Sequence, residues 1–107
     1  MTAYTEAIAP VDRAIAEELI QETPETWPEA TLSVVSTRDE TTPIQVEIRG
    51  PEESTERVGA GPYLCELLIK HYDVSRQHGV NWSGLTYAIS LTEEGDWRYR
   101  VHYHYEQ

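Results

Sequence analysis

The sequence contains no phenylalanine, a single cysteine, a single methionine and only eight lysines and arginines in 107 residues. Each scarcity excludes something. With Cys65 alone no internal disulfide can form, and its place in an apolar run makes it a small buried hydrophobe rather than a nucleophile. Eight cations against nineteen acids, a net charge of −11, argue against nucleic acid as a direct partner, because phosphate contacts need clustered lysine and arginine. They argue equally against an anionic membrane surface. No apolar run approaches the ~18 residues of a membrane span. The first twenty residues carry acids and no basic leader region, so the expected location is the cytoplasm.

What is present suits one folded domain over residues 1–107. An apolar fraction of 39% is enough for a real core and excludes a disordered polyanion. Seven tyrosines and three tryptophans replace the missing phenylalanines, and each buried hydroxyl or indole N–H then needs a partner or a surface outlet. The acidity is uneven: thirteen acids and four bases fall in residues 1–60, six and four beyond. Such a surface favours a basic partner, approached quickly and in a salt-sensitive way.

Apolar spacing fixes the expected elements. Ile8, Val11, Ile15 and Leu19 mark one face of a first helix, with Asp12, Glu17, Glu18 and Glu22 on or beside the other. Pro10 is expected in its first turn, and Pro24 stops it. Residues 31–37 and 43–49 read as strands joined by a polar connection, and Gly50–Gly61 reads as a loop. A second helix is expected from Pro62 to about Gln77, with Gly79 as a left-handed cap and Leu64, Cys65, Leu67, Leu68, Ile69 and Tyr72 as its buried stripe. Leu85, Tyr87, Ile89 and Leu91 alternate along a third strand, and Trp97, Tyr99, Val101, Tyr103 and Tyr105 along a fourth, around a turn at Glu93–Asp96. The order α-β-β-α-β-β predicts an α+β two-layer sandwich: a four-stranded antiparallel sheet with both helices on one face. Arg49, Arg98, Arg100, His102 and His104 would share its polar face.

Chemistry-bearing patterns are weak. His102 and His104 share a strand face, but no third ligand stands near them and Arg98 and Arg100 would oppose a cation, so no metal is expected. His71 and His78 lie seven apart on the second helix and suit its negative end. Gly59-Ala60-Gly61-Pro62 precedes a helix but lacks the lysine of a phosphate loop. No serine has a nucleophile-elbow context, and no acid–base couple stands out. The expectation is a non-enzyme with no cofactor.

Acidic clusters remain: Glu18 and Glu22 on the first helix, Asp39 and Glu40 between the first strands, Glu52, Glu53 and Glu56 in the central loop, and Glu93, Glu94 and Asp96 at the last turn. Singly each is a solvated surface. Together they form the partner-binding surface expected of a polyanionic body that occupies a groove built for phosphates. Trp27 or Trp82 could anchor such a contact, or fill the core.

With Pro24-Glu25-Thr26-Trp27 after the first helix, Gly79-Val80-Asn81-Trp82 after the second and the alternating ending from Tyr87 to Tyr105, the chain resembles the YezG-like immunity proteins of bacterial polymorphic toxin systems. The resemblance spans most of the chain and is structural in kind. It implies an inhibitor of a cognate toxin, and the expectation built on it is a monomer that binds one toxin domain, one to one, and blocks its active site or substrate groove. It transfers no contact residue. The acidity makes a basic nuclease the expected toxin. An acidic adaptor or secretion chaperone, and a small enzyme or ligand-binding domain using Arg98, Arg100, His102 and His104, are the alternative classes.

Overall fold

The computed structural model describes residues 2–37, 39, 41–52, 54 and 58–105. It contains α1 (Thr2–Glu22), β1 (Glu29–Ser36), β2 (Ile44–Arg49), α2 (Pro62–Gln77), β3 (Gly84–Leu91) and β4 (Trp97–His104). The α-β-β-α-β-β order and the α+β class are those expected. The strand bounds differ from expectation by one or two residues, the largest change being at β1, which begins at Glu29.

The start of α1 is corrected. Pro10 lies inside the helix, which begins at Thr2. An internal proline removes one i→i−4 bond and crowds the carbonyl it would have faced, a cost of about 3 kcal/mol. Burial of Ile8 and a 2.8 Å hydrogen bond between the Tyr4 and Ser75 hydroxyls hold the turns before it in place. The bounds of α2 match expectation. Pro62 needs no N–H at the first position. At the far end Gly79 takes φ +72°, Val80 N–H donates to the Ser75 carbonyl at 2.8 Å, and Gly79 N–H donates to the Arg76 carbonyl at 3.0 Å. That pair of bonds satisfies carbonyls the helix leaves open.

The sheet order is β2-β1-β3-β4, antiparallel throughout. Period-2 alternation sends Leu32, Val34, Leu85, Tyr87 and Ile89 inward, where they meet Ile15 and Leu19 of α1 and Leu64 and Leu68 of α2. Each such side chain, fully buried, contributes roughly 1.5–3 kcal/mol. Trp27 and Trp82 belong to this core, so neither is exposed as an anchor for a partner. The other sheet face carries no helix. Register sets Arg49, Thr31, Ala88 and Arg100 in one row across it, and Glu47, Ser33, Thr86 and His102 in the next. No helix among the described residues is long and apolar enough to cross a membrane.

Candidate functional site

Three places on this frame carry chemistry. The first is an acidic end. Antiparallel pairing puts the start of β1, the end of β2 and the β3–β4 turn at the same edge of the sheet, since Glu29 faces Ser90 and Thr31 faces Arg49. The α1 C-terminus leads into β1 there through residues 23–28. Glu25, Glu29, Glu52, Glu93, Glu94 and Asp96 are all exposed in these segments. In the turn, Gly95 at φ +89° lets Thr92 N–H donate to the Asp96 carbonyl at 2.7 Å. This tight loop carries Glu93 and Glu94 at its tip.

Glu18 and Glu22 lie on α1 near that end, with different surroundings. Burial and the adjoining Glu22 carboxylate hold the Glu18 carboxyl above its usual range. Glu22 Oε1 accepts a 2.7 Å hydrogen bond from Gly61 N–H, which places a carboxylate at the positive end of α2. Glu22 therefore joins the two helices. Asp39 lies at the opposite end of the sheet, apart from the others. Its carboxylate accepts from the N–H and hydroxyl of Thr41 at 2.9 and 2.8 Å, and these bonds hold it below its ordinary range. Of the expected contact residues, Glu40, Glu53 and Glu56 lie outside the described residues.

The second place is the open sheet face. Small residues on β1 and β3 lie between long ones on the edge strands, and a hollow of about 580 Å³ is lined by Thr31, Ala88, Ser90, Arg98, Arg100 and Glu29 among others. His102 and His104 stand with ring centroids 4.5 Å apart, and His104 Nε2 shares a 2.8 Å hydrogen bond with the Thr86 hydroxyl. No group of three metal-ligating side chains occurs among the described residues.

The third place lies beneath the helices and was not expected. Asp12 is not on the outer face of α1 and His71 is not a terminal histidine. His71 sits mid-way along α2, fully buried, and Asp12 reaches it from α1. Carboxylates only accept, so His71 Nε2–H donates to Asp12 Oδ1, at 2.9 Å. The Tyr87 hydroxyl donates to the same oxygen at 2.6 Å, and the Tyr103 hydroxyl donates to Oδ2 at 2.8 Å. On the other ring edge the Ser75 hydroxyl lies 3.2 Å from Nδ1, within hydrogen-bond reach. Ser75 Oγ accepts in turn from Trp82 Nε1–H at 3.1 Å and pairs with the Tyr4 hydroxyl. No buried side-chain nitrogen or oxygen lacks a partner among the described residues. Burial first, and then the Asp12 carboxylate, raise the Tyr87 and Tyr103 phenols far above their ordinary range. Burial also raises Tyr4.

Ser75, His71 and Asp12 have the connectivity of a hydrolytic triad without its access. Ser75 is 1% exposed, and its oxygen is occupied by three neighbours. Outside solvent reaches only Asp12, whose side chain is 14% exposed and lies at a hollow of about 340 Å³ between α1 and β4. Spacing did hold a signal for this cluster. Asp12 stands four after Ile8 and three before Ile15, and His71 stands three after Leu68 with Ser75 four further on. Both helices thus carry polar residues on their apolar stripes, which buried pairing explains. No protein-family model matches this chain, and no curated protein matches it in sequence.

Proposed function

We propose that this chain is an immunity-type inhibitor that captures one basic toxin domain, most naturally a nuclease, and covers its active site or substrate groove. The observation that carries the reading is the gathering of Glu25, Glu29, Glu52, Glu93, Glu94 and Asp96 at one end of the two-layer body. An exposed tip of like charge raises the encounter rate with an oppositely charged groove by roughly 10- to 1000-fold, with a steep dependence on salt. Its expected place of action is the cytoplasm, beside such a toxin.

The direct experiment mixes the chain, in excess, with the toxin domain encoded beside its gene. Complex formation and loss of toxin activity are expected. Glu93→Lys, Glu94→Lys and Asp96→Lys together should slow association by roughly 10-fold or more and flatten its salt dependence. A folded toxin domain that keeps its full activity under these conditions rejects the reading.

A further inference from the structure

The hollow between the first half of α1 and the end of β4 lies away from the acidic end and has its own chemistry. Its walls are mainly apolar or aromatic: Ile8 and the rings of Tyr4, Tyr103 and Tyr105. Tyr103 and Tyr105 stack with centroids 6.5 Å apart and planes 19° apart, so the outer ring continues the wall that the inner one begins. Tyr105 is 56% exposed and leaves this wall open to entry.

One lining residue is an acid, Asp12, and none is a base. A carboxylate offers about four lone-pair positions. Oδ1 uses two of them on His71 and Tyr87, and Oδ2 uses one on Tyr103. One position on Oδ2 is left, on a side chain that still reaches the hollow. Three donors from three different elements fix the carboxylate in place, so a ligand need not order it. A cation held there would meet a directed acceptor and a wall of tyrosine rings, a residue type whose ring face attracts positive charge. A neutral ligand would gain only the walls, and an anion would be repelled.

We infer that this hollow is a binding site for an alkylammonium group, its nitrogen donating to Asp12 Oδ2 and its methylene arm lying against Tyr4, Tyr103 and Tyr105. A lysine side chain and a free alkylamine share this chemistry. The inference stands apart from the inhibitor reading, because it concerns the other end of the molecule.

The test titrates the isotope-labelled chain with butylammonium chloride, with Nα-acetyl-lysine methylamide, and with neutral butanol, all at constant ionic strength. Amide shifts should move and saturate around Tyr4, Thr5, Asp12, Tyr103 and Tyr105 with both cations, and at least 10-fold more weakly with butanol. Tighter binding of the lysine amide assigns a protein lysine as the ligand, and tighter binding of butylammonium assigns a free amine. Two variants guard against misfolding. Tyr105→Ala removes an exposed wall that makes no hydrogen bond of its own, and Thr5→Lys tethers a competing ammonium at the rim. Each should keep the native spectrum and weaken both cations at least 5-fold. Butanol binding as well as butylammonium, or shifts no larger than those from added sodium chloride, overturn the inference. So does unchanged cation affinity in both variants. Loss of toxin capture would leave all these readouts intact, which keeps the two failures distinct.

Discussion

Tyr103 and His104 are adjacent on β4, yet their polar atoms live in different solvents. The Tyr103 hydroxyl points under the helices and is tied to Asp12 and His71. The His104 ring points to the open side and holds one exposed hydroxyl, that of Thr86. The contrast runs along the whole sheet. On the covered face the polar groups are paired by protein neighbours, with α2, β3 and β4 each sending a donor to the one α1 carboxylate. On the open face Arg98, Arg100, His102 and His104 stand along one strand, all exposed. The first arrangement is held by desolvation: remove one member and the others are left unpaired away from water. The second is replaceable at little cost, which is the condition a surface needs if it is to vary with a partner. The covered side of the four strands therefore carries their stability, and the open side is left free to vary.

The sharpest way to break this comparison is Asp12→Ala. Three donors, on His71, Tyr87 and Tyr103, lose their acceptor at once. An unpaired buried polar group costs about 1–3 kcal/mol, and partial entry of water through the adjoining hollow offsets some of the sum. A loss of about 3–5 kcal/mol in urea-induced unfolding is expected, with Asp12→Asn recovering a part. A loss below about 1 kcal/mol would mean that the cluster is no more tightly built than the open face.

A second test uses pH and needs no substitution to begin with. The Tyr87 and Tyr103 phenols are raised in the folded chain, whereas in the unfolded chain they ionise near pH 10. Above that value the folded state binds more protons than the unfolded one. Their contribution is therefore complete below about pH 10 and is lost as the pH climbs beyond it, at up to about 1.4 kcal/mol per pH unit for each phenol. Phenolate absorbance should report these two groups only as the chain unfolds. Tyr103→Phe should remove one proton from the slope, and an unchanged slope would detach that phenol from the cluster.

Much of this architecture was legible before any coordinates. Alternation in Leu85–Leu91 and Trp97–Tyr105 is a local property, and so are the Pro62 start and Gly79 stop of α2. The beginning of α1 was not legible, because Pro10 reads as a boundary unless it is known that Tyr4 reaches Ser75, 71 residues away. The Asp12 cluster showed only as polar residues on two apolar stripes, and its assembly was hidden for the same reason. No member names its partners, whether an acid on an apolar stripe or a tyrosine on an inward face. Only the α1–α2 and β3–β4 packing shows that their polar ends meet. The acidic end was legible as composition but not as a place. The strand order and register, which no single segment contains, bring Glu25, Glu29, Glu52 and Glu93 to one edge and leave Asp39 at the other.

The smallest expected effect lies on the open face and completes the comparison. His102 and His104 are exposed on an edge strand, and their substitution opens no cavity and orphans no buried group. His102→Ala with His104→Ala gives up one exposed hydrogen bond to Thr86 and some side-chain cover over β3. Alanine is also a slightly poorer strand former. Exposed substitutions of this kind stay within about 0.5 kcal/mol, so unfolding by urea should be nearly superimposable on that of the parent chain. Since the same strand carries Tyr103 on its other side, the double variant also tests whether the faces are independent. If β4 transmitted disturbance across the sheet, the loss would approach that of Asp12→Ala and the alkaline slope would change with it. An unaltered slope together with a small loss means that the open face can be rewritten without touching the cluster beneath it.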